Sequence, residues 1–480
     1  MKKHICDWLE ENQKEFTDIS RKIWELAEMR FCETNSANII IDKLLQEGFA
    51  IKENLAGIKT AFSAEFGTGN PIIAILGEYD ALAGLSQKLM STIPEPLIIG
   101  GCGHGCGHNL LGTGALAGVI ALKNLMAEKK IPGTIRYYGC PGEEGGSGKA
   151  FMARAGAFDD VDVALTWHPF GNNAVMSVTM LANFQVSFKF HGRSAHAAAS
   201  PHLGRSALDG VELMNVGVNY LREHVIPEAR MHYAIVNTGG HSPNVVQAEA
   251  EVLYLLRAPH LQQVEEIYER VCDIAKGAAL MTGTTVDVLF EKACSNYIPN
   301  NAVEKVVYAN LLQIGAPAFD DKDKKFANDM KNTLSKNDIN SELSMAKTFM
   351  GATFEQSILD KLVSEPLSET ILPYAFSTSL LSGSSDVGDV SWIAPTAQFA
   401  VACQAFGTPP HSWQAVSQGA SPLAHKGMLT AGKVLACSAL DLLLDCEVVK
   451  VARIEHERQL GGIKYKSPIP ADVYPKPFVK

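Results

Sequence analysis

Hydrophobic residues change their period several times along the chain, and each change marks a different kind of element. Up to about Ala56 they recur at helix-like spacing, with Ile23, Leu26 and Ala27 and then Ile39, Ile41, Leu44 and Leu45, which predicts two amphipathic helices. Ile72 to Leu76 is a short apolar run ended by Gly77, as expected of a strand buried on both faces. Residues 112–126 are small and apolar enough for a buried helix, and 134–138 and 162–166 read as two more strands. Strands alternating with helices predict an α/β layer with a mostly parallel sheet flanked by helices. Chemistry in such a layer belongs to loops at the strand carboxyl ends.

From about Leu181 the period becomes two: Phe184, Val186, Phe188 and Phe190 alternate with polar or small residues. A helix over 206–223, strands over 231–237 and 249–257, a helix over 261–281 and a strand over 284–290 complete the order βαββαβ, a split ferredoxin-like unit. The predicted division is therefore a large α/β domain in two parts, 1–182 and 297–480, with an α+β unit inserted over 183–296. The return to the larger domain near Asn300 is helical. Residues 319–343 are polar and charged, and read as a solvated surface excursion without chemistry.

Composition adds exclusions more than identities. The chain has 480 residues, 46% of them hydrophobic, which is ample material for more than one core. Its 42 Lys and Arg against 52 Asp and Glu leave a net charge of −10, so no excess of basic charge exists to neutralise phosphates, and neither nucleic acid nor an anionic membrane is expected as a partner. The segment Met1 to Trp8 runs into charged residues where a signal peptide needs an apolar core, and no later segment reads as a membrane span. Ten cysteines scattered through a large chain read as free thiols of a reducing cytoplasm, the expected location.

The densest chemical signal is Gly101-Cys102-Gly103-His104-Gly105-Cys106-Gly107-His108-Asn109. Cys-x-His spacing on a tight glycine loop lets both side chains reach one metal, although a thiol redox pair of Cys102 and Cys106 also fits. Cys140-Pro141-Gly142-Glu143-Glu144-Gly145-Gly146 places two adjacent carboxylates after a strand. In irregular backbone they point different ways, so one can bind metal while the other faces a water; two solvated acids is the plainer alternative. Trp167-His168-Pro169 ends the next strand, and Ser421 to Gly427, with His425, opens a helix. A lone histidine is more often structural, but together these positions supply ligands for two ions.

Gly77 to Leu82, Gly103 to Asn109, Pro141 to Gly146, Gly192-Arg193-Ser194-Ala195-His196-Ala197, Asn244-Val245-Val246 and Ala420 to Gly427 together resemble the aminoacylase and carboxypeptidase family of dinuclear metallohydrolases. The resemblance runs nearly end to end and implies hydrolysis of an amide beside an amino-acid carboxylate. It is strongest to members acting on p-aminobenzoyl-glutamate, with other N-acyl amino acids or dipeptides as the alternative. It implies Cys106, His108, Glu144, His168 and His425 as ligands of two divalent ions and Glu143 as general base. Asp80 and His104 are implied as neighbours of the site rather than ligands. The donor set permits zinc, manganese or cobalt, and the resemblance favours manganese. His196 is implied as the oxyanion donor, reaching in from a partner subunit, which makes the inserted unit a lid and dimerisation domain. Asn244 and Arg257 are candidates for the substrate carboxylate, with a strand-end salt bridge equally open for Arg257. The implied assembly is a homodimer, or a heteromer with a related A subunit on which activity depends.

Overall fold

In the computed structural model, residues 1–478 are described, so the last two residues of the part expected to run to 480 lie outside the described residues. The strands, in chain order, are β1 (Ala50–Glu53), β2 (Phe62–Thr68), β3 (Ile72–Gly77), β4 (Gly133–Gly139), β5 (Val163–Phe170), β6 (Ala174–Val175), β7 (Thr179–Met180), β8 (Ala182–His191), β9 (Arg230–Asn237), β10 (Glu249–Ala258), β11 (Thr285–Cys294), β12 (Leu380–Leu381) and β13 (Thr396–Ala402). Seven of them form one sheet in the order β1-β2-β4-β3-β5-β13-β6. The four central strands, β4, β3, β5 and β13, pair in parallel; β2 and β6 join them antiparallel, and β1, antiparallel to β2, runs in the central direction again. The α/β reading with a mostly parallel sheet holds: five of the seven strands run one way, and β2 and β6 oppose them.

Two long helices, His108–Lys129 and Pro422–Leu444, lie along each other against this sheet. Both are long and apolar enough to cross a membrane by length and composition, contrary to the expectation of no such segment, but 83% of each apolar window is buried inside the fold. Their close approach needs glycine: a Cβ on Gly118 would stand 2.8 Å from Gly432 O, and one on Gly432 would stand 3.0 Å from Gly114 O. The N-terminal segment forms three helices rather than two, Lys2–Glu11, Gln13–Leu26 and Thr34–Gln46.

The second sheet has the order β11-β8-β10-β9, all antiparallel, covered by the helices Ala207–Leu221 and Leu261–Thr282. This is the βαββαβ unit. Phe184, Val186, Phe188 and Phe190 of β8 are buried among apolar residues that include Val211 and Met214 of the first helix and Val264 and Val271 of the second, so the period of two becomes one apolar and one polar sheet face. β9 is an edge strand and leaves Tyr233, Ile235 and Val236 exposed.

The 319–343 excursion is two helices, Asp321–Lys331 and Lys336–Met350, and it is not inert. Glu342, 5% exposed, accepts hydrogen bonds from Gly171 N–H (3.1 Å), Asn172 Nδ2 (3.0 Å) and Gly407 N–H (3.2 Å). It thereby ties the segment after β5 to the loop after β13.

Candidate metal centre

Three carboxyl-terminal loops of the parallel strands and one helix start converge on a single cavity of about 410 Å³. Gly107, at φ 75°, turns the glycine loop into the helix His108–Lys129, and a Cβ there would stand 2.6 Å from Pro169 Cγ, so the loop packs directly on the end of β5. The loop delivers Cys106 and the helix start delivers His108. β5 delivers His168, whose Nε2 lies 3.4 Å from Cys106 Sγ. The ligand atoms of Cys106, His108 and His168 all lie within 4.8 Å of one another.

The two adjacent carboxylates diverge, as irregular backbone leads one to expect. Gly142 and Gly145 take positive φ on either side of them. Glu144 joins Cys106 in a second group, and Glu143 turns toward Glu78 and His108 in a third. Asp80 braces the arrangement from behind: its Oδ1 lies 2.9 Å from His108 Nδ1, and its Oδ2 accepts the Glu144 N–H at 2.7 Å. A carboxylate on the far nitrogen fixes the imidazole ring and leaves Nε2 for the site.

The residue that completes the second group is His411, not His425. His411 Nε2 lies 2.9 Å from Glu144 Oε1, and its backbone N–H donates to Gly105 O at 3.0 Å, which fastens the loop after β13 to the Cys106 loop. His425 stands in the first turn of Pro422–Leu444, where Arg21 and Asp18 are its charged neighbours. Burial, reinforced by Arg21, lowers its imidazole to about 4, and it belongs to none of the ligand groups. The segment Thr408-Pro409-Pro410-His411 is itself a loop following a parallel strand, the signal that would have singled it out.

Protonation in the cluster follows from burial and mutual charge. Burial alone would raise the Cys106 thiol, but His168 and His108 bring it down to about 6. Burial opposes Glu144 in the same way, and His411 with His108 holds its carboxyl down at about 2. Glu143 goes the other way: burial, then Glu144, Glu78 and Asp386, push its carboxyl well above the usual range. His108 Nε2 and Glu144 Oε1 are buried and lack hydrogen-bond geometry among the described residues, although Glu78 and His411 lie 3.2 and 2.9 Å away. Donors that face a common centre rather than one another fit metal ligation, and the thiolate, imidazole and carboxylate set suits a borderline divalent ion.

Behind Glu143 lies a buried charge bridge that the sequence pattern does not announce. Lys149 Nζ stands 2.6 Å from both Glu78 Oε1 and Asp386 Oδ1, with all three side chains almost fully buried. His104 is a neighbour only: its Nε2 lies 3.0 Å from Ile23 O, and burial lowers its imidazole to about 3. Arg257 lines the cavity, and no salt bridge holds it among the described residues. His196 and Asn244 are not brought to the cavity. They sit together on exposed loops of the second sheet, where His196 bridges Val245 and Ala197 N–H donates to Asn244 O at 2.9 Å.

Residues 74–364 match the peptidase family M20/M25/M40. The chain is 48% identical over 474 residues to the B subunit of the p-aminobenzoyl-glutamate hydrolase of Escherichia coli K12, covering 99% of this chain and 98% of that protein. It is 29% identical over 330 residues to the mouse Xaa-Arg dipeptidase, covering 66% of this chain and 72% of that one. Among solved structures, the Bacillus subtilis YXEP protein, described as a dinuclear metal-binding peptidase, shares the fold with a TM-score of 0.54 at 16% identity, over 91% of this chain and 99% of its own.

Proposed function

The chain belongs to peptidase family M20/M25/M40, and from that premise we propose that its substrate is p-aminobenzoyl-glutamate, cleaved to p-aminobenzoate and glutamate. It is a metal-dependent amidohydrolase. The observation that carries the site assignment is the shared position of Cys106 in two ligand groups, with Glu143 beside them on the same cavity. On this reading Cys106, His108 and His168 would hold one divalent ion and Cys106, Glu144 and His411 the other, with manganese or zinc as the metal. The chemistry supplied there when the ions are bound is polarisation of the scissile carbonyl and acidification of a water.

Glu143 takes the proton of the attacking water and returns it to the departing amine, the glutamate nitrogen. Its raised carboxyl suits holding a proton between those two steps. Asp80 keeps His108 and the Glu144 backbone in register, so the base and the ligands do not drift apart. Phe170, Met176, Met180, Met345 and Leu381 give the cavity an apolar wall for an aromatic acyl group.

His196 enters through assembly. Because it is exposed and outside the cavity of its own chain, we assign it to the active site of a second copy, as oxyanion donor with Asn244 beside it. The exposed apolar edge of β9 supports a contact of that kind. The same placement also favours a second reading, activity only in a heteromer with a related A subunit. The free thiols of all ten cysteines support a reducing, cytoplasmic setting.

The test is release of p-aminobenzoate and glutamate by the purified chain, with and without Mn²⁺ or Zn²⁺, beside Glu143→Ala. Metal-dependent release lost in Glu143→Ala supports the reading. Activity confined to other N-acyl amino acids sinks the substrate and keeps the mechanism, and activity only after the related A subunit is added selects the heteromer.

A further inference from the structure

The polar face of the second sheet meets the cavity at one end. Arg257 of β10 and Cys294 of β11 both pair with Asn183 of β8, so the three stand level across neighbouring strands. Lys292 lies two residues before Cys294, on the same face. All four line the cavity that Glu143 and Glu144 line from below.

Two cations there lack partners. Lys292 is 8% exposed, and among the described residues neither it nor Arg257 meets a carboxylate in a salt bridge. The buried Arg257 Nε is without any hydrogen-bond partner, as are Asn183 Oδ1, Ser384 Oγ and Gln398 Nε2 around the same cavity. Three of the cavity's four acids are engaged elsewhere, Glu78 and Asp386 by Lys149 and Glu144 by His411, and the fourth, Glu143, groups with Glu78 and His108. Lys292 is buried and Arg257 half-buried, and positive charge placed so is costly unless an anion arrives to meet it. One substrate carboxylate satisfies one of them, and an amino acid with a neutral side chain leaves the second unmet.

We infer that Arg257 and Lys292 form a two-cation subsite that selects substrates whose amino-acid part carries a second carboxylate, with Arg257 on the α-carboxylate and Lys292 on the side-chain carboxylate. Lys292 is thus a specificity-determining residue, and the substrate class is N-acyl glutamate or aspartate. The inference rests on the proposed amidohydrolase reading. It goes further in naming which residue separates acidic from neutral amino acids.

The test compares p-aminobenzoyl-glutamate with p-aminobenzoyl-glutamine, nearly isosteric and one charge apart, on the wild-type chain, Lys292→Met and Lys292→Arg. A buried contact between charged groups separates such a pair by roughly 10- to 100-fold. The expected result is a wild-type preference for glutamate of that size in kcat/KM. The ratio should fall close to one in Lys292→Met, mainly through a higher KM for the glutamate compound, and recover in Lys292→Arg. Calorimetric binding of both compounds to the metal-free chain provides the same ratio without turnover, and melting curves show that the variants fold. A preference that survives Lys292→Met, or equal binding of the two compounds by the wild type, overturns the inference. Failure to hydrolyse any N-acyl amino acid sinks the reaction instead, and the binding ratio still decides the subsite.

Discussion

Replacing His411 by alanine should empty one of two metal positions, and replacing His425 should empty neither. Cys106 Sγ belongs to two ligand groups, whereas His411 belongs only to the one with Cys106 and Glu144; His108 and His168 make the other with Cys106. The His411→Ala substitution therefore takes one group from three protein donors to two and leaves the other intact. Structural zinc sites gain about 10–16 kcal/mol from four donors, so a single donor carries on the order of 3–4 kcal/mol. Its loss weakens binding by roughly 100- to 1,000-fold. Cys106→Ala takes a donor from both groups and should weaken both positions. Equilibrium dialysis against Mn²⁺ and Zn²⁺ in turn, with metal counted by atomic emission, checks this. The wild type and His425→Ala should each retain two ions per chain, and His411→Ala one. Loss of an ion from His425→Ala, with both kept by His411→Ala, would refute the placement of the site. A His425→Ala chain that melts lower yet keeps its metal agrees with a buried position beside Asp18 and Arg21.

Asp80→Ala, which frees the far side of His108, should weaken metal binding by about 10- to 100-fold while Glu143 stays in place; unchanged affinity in the same dialysis would remove Asp80 from the site. Lys149→Met leaves Glu78 and Asp386 buried without their shared cation and should cost about 3–5 kcal/mol in urea unfolding, whereas a loss under 1 kcal/mol would show the bridge to be dispensable. Burial lifts the Glu342 carboxyl from its ordinary 4.5 to about 7 against the pull of its three donors. Its folded value is the higher one, so its contribution to stability is full below pH 4.5 and is lost as pH rises through 7, by about 3 kcal/mol in all. Melting curves from pH 5 to 8 should show the wild type losing ground to Glu342→Gln by that order; a constant difference would refute the burial argument.

Local pattern reached as far as single elements and stopped at contacts between them. The βαββαβ unit was legible because Phe184 to Phe190 alternate cleanly and two helical segments lie between the strands, although the first helix also exposes Leu213, Val216 and Tyr220. The glycine loop was legible from its Cys-x-His spacing, and the Glu143-Glu144 turn and His168 because each follows or ends a recognisable strand. β13 was not recognised: Thr396–Ala402 is buried throughout, so it has no alternation to read. Without that strand as a marker, the loop after it carries no pattern that sets His411 apart from other histidines. His425 looked suitable because Ser421 caps a helix there, but its first turn directs the ring toward Asp18 and Arg21 rather than the cavity. The Lys149–Asp386 bridge joins positions 237 residues apart, and Glu342 reaches back 171 residues to Gly171; no spacing rule spans such distances. Glu342 was the harder case, because one buried acid on a charged helix leaves no mark on composition. Its three donors all belong to the segments that present His168 and His411, so the most solvated-looking stretch of the chain braces the backbone that carries two of the candidate ligands.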